Sequence, residues 1–120
     1  MLEHFTITTP RTPSRLVTVY IPAGLPAAGA SLLLLHDGQN LFEPDRAHIP
    51  GQHWRVAETA DALIAAGRLP SLLIAGIDHM GERRGADMTP TIGPYPGMGG
   101  GAVYGRFIMQ DLVPYLARTY

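Results

Sequence analysis

Two apolar runs without a polar break, Leu32-Leu33-Leu34-Leu35 and Leu72-Leu73-Ile74-Ala75-Gly76-Ile77, set the main limit on how this chain can fold. A strand with one wet face alternates apolar and polar residues. A continuous run fits a strand covered on both faces, as in a parallel sheet flanked by helices. Between the runs, Trp54 to Leu69 changes period: Trp54, Ala57, Leu63, Ile64 and Gly67 recur at three- and four-residue spacings, with Gly67 and Pro70 as stop signals. Strands over 31–36 and 71–77 around a helix over 54–67 make a right-handed βαβ unit with parallel strands.

The start of the chain reads differently. Phe5-Thr6-Ile7-Thr8-Thr9 alternates and is closed by Pro10 and Pro13, and Leu16 to Ile21 is a second strand ended by Pro22 and Gly24. An antiparallel opening followed by a parallel unit makes a mixed α/β sheet. Residues 80–101 form a long loop rich in Gly, Pro and Met, a length that suggests a functional or cover loop. A last helix is predicted over 102–117, with Phe107, Ile108, Leu112 and Leu116 on one face and Pro114 kinking it or ending it early. With no further strand after this helix, Ser71–Ile77 is expected to stand as an exposed sheet edge, a surface prone to self-association. One partial domain over residues 1–120 is the expected organisation.

Composition excludes several classes. A net charge of −1 gives no electrostatic footprint for nucleic acid or an anionic membrane. With no cysteine there is no disulfide, thiolate metal site or cysteine nucleophile. Met1-Leu2-Glu3-His4 lacks a basic region followed by an apolar stretch, and the apolar runs fall far short of the roughly 20 residues that span a bilayer. A cytoplasmic location is the expectation.

The most specific local feature is Leu35-His36-Asp37-Gly38-Gln39-Asn40-Leu41-Phe42. After it come Gly51-Gln52-His53-Trp54, the strand Leu73 to Asp78, Glu82-Arg83-Arg84 leading to Thr89-Pro90, a glycine cluster, and a helix from Tyr104 to Tyr120. In this order, over about residues 30–120, the chain resembles the N-terminal half of the α/β-hydrolase esterases that include esterase D, enterobactin-type siderophore esterases, feruloyl esterases and mycolyltransferases. The resemblance implies carboxylic-ester hydrolysis or acyl transfer through a serine acyl-enzyme, without a cofactor or metal, on a small-molecule ester.

In α/β-hydrolases one oxyanion-hole donor comes from the loop after the third strand. By similarity to the mycolyltransferase form of that loop, Gln39 presents its backbone N–H, with Gly38 allowing the sharp turn. The plainer alternative is that Asp37-Gly38 is only a turn dipeptide. His36, Asp37, Trp54, Asp78, Arg83 and Arg84 are the candidate substrate-binding residues. Asp78-His79 ends a parallel strand, where α/β sheets bind ligands, and the arginines could receive an anionic group. Trp54 has a competing expectation as core packing at the helix start.

The serines are Ser14, Ser31 and Ser71, and none lies in Gly-x-Ser-x-Gly on a strand–turn–helix elbow. The resemblance places the nucleophile and its acidic and histidine partners beyond Tyr120, so the chain is expected to be inactive alone. His48 and His53 near Asp45 lack a clear third ligand, so no metal site is assigned. Gly97-Met98-Gly99-Gly100-Gly101-Ala102 fits a dinucleotide fingerprint only formally, because Pro94 and Pro96 argue against a strand before it. The rival reading is a small non-catalytic α/β binding or interaction domain.

Overall fold

In the computed structural model of the chain, the two continuous apolar runs become neighbouring parallel strands, β3 (Ser31–His36) and β4 (Leu72–Ile77), paired from Ser31↔Leu72 to His36↔Ile77. The structure describes residues 1–94 and 97–120; Tyr95 and Pro96, within the predicted loop, lie outside the described residues. Helix α1 (Val56–Ala65) connects the two strands, inside its predicted bounds. The first strands are β1 (Leu2–Thr9) and β2 (Thr12–Tyr20), and the two-residue connection Pro10-Arg11 makes them an antiparallel hairpin. Pro13, expected to close the first strand, instead lies inside β2, upstream of the Val17–Tyr20 stretch that pairs with β4.

Strand order is β1-β2-β4-β3, and this corrects the expectation that Ser71–Ile77 is an exposed edge. β4 inserts between β2, to which it is antiparallel, and β3. All six of its residues are buried, while β3 takes the outer position with Leu33 40% exposed. Continuous apolarity marks both strands, yet only β4 has neighbours on both sides. The result is an α/β fold with a mixed sheet, as read from the pattern.

The chain divides into two compact units, Met1–Phe5 with Leu16–Asp78 and Thr6–Arg15 with His79–Tyr120. The core of the first gathers Tyr20, Leu41, Phe42, Ala60, Leu72 and Ile74, with Leu35, Val56, Ala57 and Leu69 packed against it. Tyr20 stacks on Phe42 and donates its hydroxyl to Asp61, beyond the apolar face of α1. Desolvation, chiefly, and the Asp61 carboxylate push the Tyr20 phenol up to about 12. Helix α1 ends in a Schellman motif: Gly67 takes φ 67°, its N–H donates to Ile64 O, and Arg68 N–H donates to Leu63 O. The positive φ explains glycine there, as the sequence stop signal required.

In the second unit, a continuous helical run comprises α3 (Gly101–Arg106), a π-helical turn (Phe107–Leu112) and α4 (Val113–Thr119). The buried residues are Tyr104, Phe107, Leu112 and Leu116. The five-residue step from Phe107 to Leu112 is one a π turn accommodates, keeping both on the buried face while Asp111 stays beside it. Pro114 does not end the helix: it lies at the second position of α4, directly after the π-helical turn. Arg15 is 3% exposed, with its guanidinium over the Tyr104 and Phe107 rings at 4.9 and 5.6 Å and Nη2 2.7 Å from Asp87.

Within the predicted 80–101 loop lie a 3₁₀ turn (Gly81–Arg83) and a short helix α2 (Arg84–Met88). Gly100 N–H donates to Ala86 O at 2.8 Å and Gly101 N–H to Thr89 O at 3.0 Å. A Cβ on either glycine would fall 2.8 Å from those same carbonyl oxygens. Gly100 and Gly101 of the glycine cluster are therefore explained by backbone-on-backbone packing against α2 and its exit.

Candidate functional site

Because β3 and β4 are parallel and in register, Asp37 and Asp78 leave the sheet at the same end, just past the His36↔Ile77 pair. The carboxyl ends of parallel strands are where open α/β sheets place ligands. The chain after β3 turns at once: Asp37 adopts φ 55° and ψ 46°, and Gly38–Asn40 form a 3₁₀ turn. A left-handed backbone is uncommon for residues other than glycine, and aspartate tolerates it better than most. The turn's internal hydrogen bonds begin with Asn40 N–H to Asp37 O at 2.9 Å and Leu41 N–H to Gly38 O at 3.2 Å. Leu41 and Phe42 then dive into the core and fix the turn's exit.

Two glycines seat this turn on the sheet. A Cβ on Gly38 would lie 2.6 Å from the carbonyl carbon of Gly76, 2.7 Å from its oxygen and 2.8 Å from Asp78 Oδ1. A Cβ on Gly76 would lie 3.1 Å from Gly38 Cα and 2.6 Å from Leu41 Cδ1. The backbone of the turn thus rests directly on the end of β4. The left-handed residue of the turn is Asp37, so glycine at 38 is required by the close approach and not by the turning, and Asp37-Gly38 is more than a turn dipeptide. An isolated glycine in an apolar strand signals such an approach, and Gly76 carries that signal although the sequence reading did not single it out.

Asn40 ties a second segment to the turn. Its carbonyl accepts from Trp54 N–H at 2.7 Å, and its side-chain Oδ1 accepts from His48 N–H at 2.8 Å. Arg55, next to Trp54, is left-handed at φ 54°; it and Asp37 are the non-glycine residues of positive φ among those described. Trp54 is 56% exposed, which corrects its expected place in the core: helix α1 begins at Val56, and it is Val56, Ala57 and Ala60 that meet the core. His53 sits 3.7 Å from Glu58, while His48 is exposed. The Glu58 carboxyl is held below its ordinary range, first by a hydrogen bond to its own backbone N–H and further by Arg55 and His53.

The other named positions fall as follows. His36 is exposed at the end of β3, and Asp37, Gln39 and Asp78 are half-buried. Arg83 and Arg84 are exposed at the start of α2 in the second unit. Ser14 lies within β2 and shares a hydrogen bond with Thr8. Ser31 opens β3, and Ser71, just before β4, reaches Ala23 O at 3.5 Å. None occupies a strand-to-helix elbow.

Arg46 is a residue the sequence did not single out. Its Nη2 donates to Asp78 Oδ2 at 2.6 Å, and its Nη1 donates to Thr18 Oγ1 at 2.7 Å and Glu43 Oε2 at 3.3 Å. His4 closes the cluster, with Nδ1 3.0 Å from Thr18 Oγ1 and Nε2 3.4 Å from Glu43. Nothing in the local pattern of Pro44-Asp45-Arg46 announced that role, because Thr18 and Asp78 are distant in the sequence, on β2 and just after β4.

No protein-family model and no curated protein matches the chain. Solved structures do. The BES protein from Bacillus cereus is 19% identical with a TM-score of 0.77, covering 99% of this chain and 46% of its own. An IroE-like serine hydrolase from Shewanella oneidensis is 19% identical at TM-score 0.74 (98% of this chain, 38% of its own). The siderophore hydrolase EstB from Aspergillus nidulans is 20% identical at TM-score 0.71 (98% and 43%). The chain thus spans less than half the length of these structures, and its fold is that of the N-terminal part of such α/β-hydrolase-like proteins. Siderophore esterases and serine hydrolases are among the proteins the sequence resemblance pointed to.

Proposed function

We propose that this chain is the oxyanion-turn portion of a serine carboxylic-ester hydrolase that works through an acyl-enzyme. One observation carries the reading: the His36–Asn40 turn is seated by the Gly38–Gly76 contact on the carboxyl ends of two parallel strands, where a ligand site of this fold belongs. The Gln39 backbone N–H is the proposed donor to the charge that develops on the acyl oxygen. A preorganised donor of this kind is worth roughly 3–4 kcal/mol of transition-state stabilisation. His36, Asp37, Trp54 and Asp78 are the proposed substrate-facing residues of the first unit. Arg83 and Arg84 are proposed as receivers of an anionic substrate group. The substrate is a small ester, and neither cofactor nor metal takes part in the proposed chemistry.

These 120 residues hold no serine in an elbow, and a serine without a positioned base is a weak nucleophile near neutral pH. We infer that the polypeptide alone is inactive. Hydrolysis of a short-chain nitrophenyl ester is the test, comparing the chain with Ser14→Ala, Ser31→Ala and Ser71→Ala. The expected result is no turnover sensitive to any of the three. Turnover abolished by one substitution, with fluorophosphonate labelling of that serine, would overturn the reading.

The second reading, a non-catalytic interaction domain, has one observation in its favour. The outer strand β3 carries Ser31-Leu32-Leu33-Leu34-Leu35-His36, with none of the lysines, prolines or bulges that usually blunt an edge. Self-association through β3 is the proposed consequence.

A further inference from the structure

A carboxylate stands directly against the proposed oxyanion turn. Asp78 Oδ1 is close enough to Gly38 that a Cβ there would meet it at 2.8 Å. Asp78 is fixed at the backbone by its N–H donating to Leu16 O at 3.1 Å. Its other oxygen, Oδ2, is held by Arg46 Nη2 at 2.6 Å. A bare negative charge beside a turn meant to receive negative charge would oppose that task, and a paired one does not. The other nitrogen of the same guanidinium, Nη1, reaches Thr18 Oγ1, a fully buried group on β2, at 2.7 Å. Arg46 therefore joins β2 to the residue that follows β4 with one planar group, a geometry an ammonium on a flexible stem does not reproduce.

We propose that Asp78 and Arg46 are positioning residues for the turn 38–40: Asp78 buttresses Gly38, and Arg46 both aims and neutralises Asp78. This deepens the esterase reading and rests on it for its functional meaning. The geometric claim is tested without catalysis, so the two can fail separately. Glu43 and His4 complete the cluster around Arg46.

The experiment is residue-resolved amide hydrogen exchange on the full chain, with Arg46→Gln, Arg46→Lys, Asp78→Asn and the Arg46→Gln/Asp78→Asn double variant. The reporters are Asn40 and Leu41, whose N–H groups close the turn on Asp37 and Gly38. Ile74 and Ala75 in the buried strand β4 serve as the internal reference. Arg46→Gln and Asp78→Asn should each speed exchange at the turn by about tenfold or more relative to β4. The double variant should be no worse than the poorer single one, because the two residues act as a unit. Arg46→Lys should recover less than half of the effect on a logarithmic scale. Equal acceleration in the turn and β4, no acceleration, strictly additive effects, or full recovery with lysine would each overturn the proposal. If exchange behaves as expected while the chain shows a serine-dependent activity of its own, the positioning claim stands and the truncated-site reading falls.

Discussion

Replacing Gly38 by alanine tests the central contact of the site with one methyl group. The new Cβ would sit 2.6 and 2.7 Å from the carbonyl carbon and oxygen of Gly76, and 2.8 Å from Asp78 Oδ1. Comfortable carbon–carbon contacts lie at about 3.5–4.0 Å, so the overlap is on the order of 1 Å. Two of the three atoms belong to the backbone of the central strand β4, which is hydrogen-bonded on both sides and cannot shift alone. Overpacking of this kind costs about 1–3 kcal/mol, and the rigid partners put Gly38→Ala toward the upper end. Alanine also lowers the entropy of the unfolded chain, which offsets about 0.4–1 kcal/mol because the turn does not demand a positive φ at Gly38.

The net expectation is a loss of about 2 kcal/mol. For a domain of this size that is a fall in Tm of roughly 8 °C. Circular dichroism melts, paired with urea titrations at fixed pH, read it directly. Gly105→Ala is the control: it lies in α3 with nothing within 4 Å of its added Cβ, and should gain up to about 1 kcal/mol of helix propensity. Gly76→Ala should fall between the two, since its tightest contact is the movable end of Leu41 at 2.6 Å, although Gly38 Cα stands at 3.1 Å. A Gly38→Ala protein that melts at or above the parent temperature, with the control behaving as expected, would refute the seating of the turn on β4.

Other outcomes follow from the same structure. The folded Tyr20 phenol titrates near 12 against 10.0 for an ordinary tyrosine, so between those values the folded state keeps a proton that the unfolded chain has lost. Stability should therefore fall as pH rises through that window, by up to about 3 kcal/mol, and the extra slope should vanish in Tyr20→Phe urea melts. Arg15→Met strands the Asp87 carboxylate, itself 15% exposed, without its 2.7 Å partner. A loss of about 3–5 kcal/mol is expected, seen as early protease cleavage within 101–119, and a near-neutral effect would show that the pair is not the anchor of that unit. Leu33→Lys places a charge on the outer strand at a residue already 40% exposed. It should lower the apparent mass in light scattering at tens of micromolar without lowering Tm, and an unchanged monomeric mass for both proteins would count against association through β3.

Local chemistry was readable and long-range placement was not. The helix stop at Gly67 and the strand at Ser31–His36 are properties of a few consecutive residues, and each stands where the pattern put it. Trp54 was misplaced because a helix-period window cannot tell its first buried residue from the residue just before it; Arg55 takes a left-handed backbone there, and the periodic face starts at Val56. The edge was assigned to the wrong strand for a related reason. Apolar continuity in Leu72–Ile77 and in Leu32–Leu35 looks the same, and only the insertion of β4 beside β2 decides which of them is central.

The same distinction separates the two halves of the candidate site. Gly38 and Gly76 betray their contact by being glycines where a side chain would otherwise be expected. Arg46 has no such mark, because an arginine three residues after a glutamate is the commonest kind of solvated pair. Its importance comes from Thr18 and Asp78, separated from it by 28 and 32 residues. What the fold adds to the sequence here is a counter-charge. The residues that shape the turn can be named from the motif, whereas the group that lets a carboxylate stand beside it is found only once β2 and β4 lie side by side.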